Sequence, residues 1–145
     1  QFTLLKIPIG RFEKDKDISF ILDTSVLMDE PDIFNKYFNN SSIVVHSIIQ
    51  DELENYRGTD INAVRAMRNI NYLRNNPKAQ MQFIRGEKGD TKFTKLLKVR
   101  VFEDLMKQLN NEGKYPVIVS NDNELVLFQK NKANIIQLDH IPLLY

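Results

Sequence analysis

Apolar residues in this chain follow two rhythms, short unbroken runs and longer stretches that repeat with a helical period of about 3.6 residues. The runs Ile18-Ser19-Phe20-Ile21-Leu22, Ile43-Val44-Val45 and Val117-Ile118-Val119 are rich in β-branched residues, which predicts buried strands. A further strand is expected near Asn134 to Gln137. Helical spacing fills the intervals. Pro31-Asp32 opens a helix carrying Ile33, Phe34, Tyr37 and Phe38, which Asn39-Asn40-Ser41-Ser42 ends. Helices are also expected from about Ser47 to Tyr56, from about Asp60 to Asn75 and from about Thr91 to Asn111, with a short one after Asp122. Gly58 and Pro77 bound the second of these, Gly86 to Asp90 reads as a loop, and Gly113 and Pro116 frame the turn into Val117. Strands alternating with helices predict an α/β fold, a three-layer α/β/α sandwich around a mostly parallel sheet. Residues 1–145 are expected to form a single domain, with 1–17 an edge strand or a linker whose Arg11 to Asp17 part is expected to be a solvated, charged approach.

Acidic residues stand where such a fold gathers its chemistry. Asp23 follows the first strand directly, Glu52 lies on the helix after the second, and Ser120-Asn121-Asp122 follows the third. Ligands of an open parallel sheet bind at the carboxyl ends of its strands, so these distant positions are expected to meet. Three carboxylates held together repel one another unless a cation sits among them, and oxygen ligands suit magnesium or manganese. Helical phase supports this for Glu52, which falls within the stripe of Ile48, Ile49, Leu53 and Tyr56, while Asp51 and Glu54 fall to the sides. Burying an acid without a partner is costly, so an inward Glu52 calls for a cation or a strong donor. A Glu whose stem packs while its head reaches water, or a structural salt bridge, is the plainer alternative. Asp23-Thr24-Ser25 and Ser120-Asn121-Asp122 are equally suited to capping helices and turning the chain. Thr24, Ser25 and Ser120 supply hydroxyls able to orient a water.

Composition narrows the choice. The chain has 145 residues, 42% hydrophobic, enough for one core. With Cys 0 and His 2 it has no thiolate site and too few imidazoles for a zinc centre without carboxylates. A formal net charge of +1 is no bulk footprint for nucleic acid, so such a partner needs local patches or a bound metal. No apolar run approaches the roughly 20 residues that span a bilayer, and no signal peptide is visible, so no membrane partner and a cytoplasmic location are expected. A first residue of Gln1 suggests a piece of a longer chain.

Leu22-Asp23-Thr24-Ser25-Val26-Leu27-Met28, then Asp51-Glu52-Leu53, then Val119-Ser120-Asn121-Asp122, resemble the successive motifs of PIN domains, a family of metal-dependent ribonucleases. The resemblance spans roughly residues 18 to 138. It is nearest to the PIN domains of PhoH-like ATPases, because Asn62-Ala63 with Ala66 and Arg68 resembles the helix that follows the acidic motif there. The resemblance implies that Asp23, Glu52 and Asp122 are metal-site acids, with Ser120 and Thr24 or Ser25 as their hydroxyl companions. It implies a metal-dependent endoribonuclease acting on single-stranded RNA, in which a magnesium or manganese ion activates water and neutralises charge on the phosphorus. It also leaves room for an ATPase domain in the parent chain and for a homo-oligomer.

One acid of that pattern is replaced. Lys98-Val99-Arg100-Val101 stands where the PhoH-like form begins an Asp-Asn-Arg-Ile sequence. Measured against Leu97, Val101, Leu105 and Leu109, Lys98 lies near the middle of its helix's apolar stripe, so its ammonium is expected to point toward the sheet or its cleft. There it would contact substrate phosphate or act as a built-in cation that neutralises Asp23, Glu52 and Asp122; a lysine snorkelling to water is the plainer alternative. Asp104 and Asp90 match the missing acid poorly. Substrate contact is also expected from Arg65 and Arg68, beside Tyr72, on the face opposite Ala63, Ala66, Met67, Ile70 and Leu73. The alternative function is a catalytically impaired PIN module that binds RNA or protein. A phosphatase using Asp23 as nucleophile is disfavoured because Ser25, not a second Asp, stands two places on.

Overall fold

The computed structural model describes residues 18–34, 42–86, 95–122, 125 and 135–137. Among the described residues five parallel strands form one sheet: β1 Ile18–Leu22, β2 Ser42–His46, β3 Met81–Ile84, β4 Tyr115–Val119 and β5 Ile135–Ile136. Their order is β3-β2-β1-β4-β5. The sheet therefore grows one way from β1 to β3 and the other way to β4 and β5. Right-handed crossovers then put the connections of the two halves on opposite faces, and the crevice opens where the direction reverses, between β1 and β4. Among the described residues four helices accompany the sheet: α1 Thr24–Asp29, α2 Ser47–Asn55, α3 Ile61–Arg74 and α4 Lys95–Asn111. Helices α1, α2 and α3 pack on one another, whereas α4 packs on β4. No helix among the described residues is long and apolar enough to cross a membrane.

The β-branched runs become strands buried on both faces, as a sheet sandwiched between helices requires. Phe20, Ile21, Leu22, Val44, Val45, Val117, Ile118 and Val119 are all buried. Register follows from pairing Ile21 with both Val44 and Ile118. Helix α3 sits close because Ala63 and Ala66 face inward with Ile70. Its amides pin it down: Asn62 Nδ2 donates to the Met28 carbonyl at 2.8 Å and Asn69 Nδ2 to the Pro31 carbonyl at 2.7 Å. Asp60 caps the same helix by accepting from the Asn62 N–H.

Several boundaries differ from the pattern reading, each for a physical reason. Strand β3 was not expected, since Met81-Gln82-Phe83-Ile84 is short, half-buried and alternates with glutamine instead of forming a continuous apolar run. Helix α1 stands where the sequence pattern shows only a run after Asp23, because Thr24, Ser25 and Val26 are weak helix formers. Pro116 lies inside β4, not in the turn before it; pairing with β5 begins only at Ile118, so its missing N–H interrupts no ladder on that side. Tyr56 is exposed rather than part of the α2 stripe. The Gly113 turn is as expected, with a φ of 80° that glycine adopts readily. The approach 1–17, most of the helix after Pro31, the loop to Asp90 and most of the helix after Asp122 lie outside the described residues.

At the carboxyl end of β2, His46 Nδ1 accepts the Ile48 N–H at 3.0 Å and caps α2. Burial pushes the His46 pKa below its ordinary 6.5, with Asp51 opposing. The neutral ring thus supports the fold fully above pH 6.5, and this support drains away as pH falls through the lowered folded value. Urea midpoints at pH 7.5 and 5.5 are expected to fall further in the parent protein than in His46→Asn, which keeps a capping group but does not titrate. The difference is at most about 1.4 kcal/mol per pH unit. Equal losses would show that another group governs the acid limb.

Candidate functional site

Two chain segments cross the crevice side by side. The Asp23 N–H donates to the Val119 carbonyl at 3.0 Å, which holds the end of β1 against the end of β4 and sets Asp23 beside Ser120. Asp23 occupies the position of an N-cap for α1, yet its side chain makes no capping bond. Its Oδ2 accepts instead from Ser120 Oγ at 2.7 Å and from Ser25 Oγ at 2.9 Å. Both hydroxyls also accept backbone N–H groups, Ser25 from Asn121 and Ser120 from Asp122. The turn after β4 is thereby fastened to the turn after β1.

Glu52 comes from the inward side of α2 and accepts a hydrogen bond from Thr24 Oγ1 at its Oε1. Lys98 completes the group from α4, on the first turn whose side chains face the core. Its stripe is centred slightly off the expected one, on Val99, Phe102, Leu105, Met106 and Leu109, with Leu97 and Val101 at the edges. The ammonium lies 2.8 Å from Asp23 Oδ1 and 3.0 Å from Glu52 Oε1. The contact with Asp23 lies off the line of a well-directed hydrogen bond, so charge is its main content. Asp23 is 0% exposed, Lys98 2% and Glu52 14%.

Such burial works against a charged lysine, but the charge of Asp23, then the charge and hydrogen bond of Glu52, outweigh it and hold the Lys98 pKa above its ordinary value. The group at neutral pH is an ammonium between two carboxylates. Snorkelling is excluded, because the head lies inside. So is direct contact between that head and an RNA phosphate in this arrangement, since the two acids enclose it.

The structure thus brings together Asp23, Glu52, Thr24, Ser25, Ser120 and Lys98. Asp122 borders this group through its backbone N–H; its Oδ1 accepts from the Leu125 N–H at 3.4 Å, the behaviour of a capping residue. Among the described residues no group of three or more acidic or imidazole side chains is arranged to hold a metal ion. Asp104 is exposed and does not take the place of the missing acid, while Asp90 lies outside the described residues. Arg65, Arg68 and Tyr72 stand apart on the outer face of α3, with Tyr72 69% exposed. Arg68 and Tyr72 line an open hollow of about 530 Å³ with Asn71, Asn75, Asn76 and Pro77. Nearby on β3, Phe83 has Arg74 stacked over its ring at 4.0 Å and Arg85 at 5.9 Å. Ser25 and the link it makes to Asn121 were legible only as a hydroxyl beside Asp23.

The profile of the PIN domain family matches residues 20–139. No curated protein matches the chain. PIN domains are nuclease-type domains that generally use divalent metal ions. The residues present here do not fit such an ion: the space between Asp23 and Glu52 holds the Lys98 ammonium, and Asp23 Oδ2 is committed to two hydroxyls.

Proposed function

The chain belongs to the PIN domain family, and from that premise we propose that it is an RNA-binding PIN module whose acidic crevice does not carry out metal-dependent cleavage. The observation that carries this reading is Lys98, whose ammonium occupies the position a catalytic cation needs. A buried, doubly paired lysine has no free acceptor to activate water and presents no Lewis acid to a phosphate. RNA is the favoured partner because the outer face of α3 pairs exposed guanidinium groups with an exposed ring. Arg65 and Arg68 suit phosphates, Tyr72 suits an unstacked base, and the amides of Asn71, Asn75 and Asn76 suit base edges. Pro77 leads into β3 at the amino edge of the sheet, whereas Asp23 and Ser120 stand at the carboxyl edge. RNA held in that hollow would not compete with the crevice.

Fluorescence anisotropy with a labelled single-stranded RNA, run in magnesium, manganese and chelator with gels of the same samples, tests this reading. Binding is expected to persist in chelator, with no cleavage in either metal. Stacking on one aromatic side chain contributes about 1–3 kcal/mol per base, so Tyr72→Ala is expected to weaken binding by about 5- to 150-fold, and Arg68→Ala to flatten its salt dependence. Loss of binding in chelator would sink the proposal. Cleavage in manganese that disappears in Asp23→Asn would instead establish the second reading, a metal-dependent endoribonuclease, which the meeting of Asp23, Glu52 and Ser120 at the sheet's crevice favours. Self-association is a separate proposal, which sedimentation of the protein would test.

A further inference from the structure

The crevice has the parts of a cation site apart from the ion. Two carboxylates from different elements converge on the Lys98 ammonium, and three hydroxyls donate to them, Ser25 and Ser120 to Asp23 Oδ2 and Thr24 to Glu52 Oε1. Left alone, the two acids would repel each other in a buried place. Lys98 reaches them from the opposite layer, as a compact point charge on a flexible stem. Among the described residues no other cation makes an ion pair with Asp23 or Glu52.

We infer that Lys98 is the resident cation of this domain: its ammonium balances the crevice in place of a divalent ion, so that the fold is indifferent to metal and loss of the lysine makes it metal-dependent. The inference rests on the reading of the crevice as metal-free, and extends it by making the identity of the cation depend on a single side chain. Lys98→Ser leaves both carboxylates and all three hydroxyls in place while opening the space between them. A hard divalent cation, which prefers oxygen ligands, then supplies the missing charge. Binding to the folded state alone stabilises it by mass action.

Thermal unfolding of the parent protein, Lys98→Ser, Lys98→Gln and the double variant Lys98→Ser/Asp23→Asn is compared in chelator and in millimolar manganese. The parent midpoint is expected to be the same in both. That of Lys98→Ser should be depressed in chelator and rise by about 5–10 °C when manganese reaches a hundredfold excess over its dissociation constant. Lys98→Gln should rise less, since its amide still fills part of the space, and the double variant should not respond. Calorimetry with manganese should show one site in Lys98→Ser and none in the parent. A Lys98→Ser protein that folds only with manganese supports the inference equally. A Lys98→Ser protein indifferent to manganese, or unfolded with and without it, overturns the inference. Because RNA binding by the parent is measured separately in chelator, that failure would leave the proposed function standing. Cleavage by the parent with metal would remove both.

Discussion

Lys98→Met, studied in chelator, is expected to destabilise the fold by about 3–5 kcal/mol, which for a domain of this size lowers the midpoint by about 10–15 °C. Methionine nearly matches the stem in volume, so the loss measures charge and not a cavity. Asp23, 0% exposed, would lose the only ion-pair partner of its Oδ1 among the described residues, and Glu52 would lose one of the two donors to its Oε1. Replacing all three groups by neutral side chains in Lys98→Met/Asp23→Asn/Glu52→Gln should recover much of the difference. Removing one partner of a buried pair costs far more than removing the set. Chemical denaturation of the single and triple variants checks this. A single variant within about 1 kcal/mol of the parent would mean that water reaches the crevice and screens it.

Asp23→Ala should be of similar size, about 3–5 kcal/mol, by a different sum. The buried ammonium keeps only Glu52, and the hydroxyls of Ser25 and Ser120 lose their shared acceptor, which loosens the fastening between the turns after β1 and β4. Asp23→Asn keeps an acceptor oxygen and should cost less. Glu52→Ala should cost less again, because at 14% exposure the site there can admit water. Urea unfolding of the three variants should rank them in that order. Glu52→Ala as the most damaging of them would place the weight of the cluster on α2 and not on the strand ends.

The strands that build the crevice were legible because burial on both faces leaves a plain mark, an uninterrupted run such as Val117-Ile118-Val119. The site was legible for a related reason. A carboxylate directly after a strand, or an acid and a lysine within a helix's apolar stripe, is a local contradiction that only a partner resolves. Lys98 is the clearest case: phase alone put its head inside, and the structure places it between Asp23 and Glu52. Edge strand β3 left no such mark, being half-solvated. Asp122 shows the limit of position as a guide. It follows a strand as Asp23 does, its Oδ1 accepts from the Leu125 N–H, and nothing in the local sequence separates capping from a place in the site.

The order of the strands also bears on time. Asp23 and Ser120 are 97 positions apart, and β1 pairs with β4 only after the chain between them has closed a long loop. Contacts of such high sequence separation form late and make folding slow. Ion pairs from Lys98 to Asp23 and Glu52 join three segments and are expected to be absent from the transition state, so in stopped-flow chevrons Lys98→Met should act on the unfolding arm. The crevice would then be a latch: of little help while the domain assembles, it sets how long the domain stays shut.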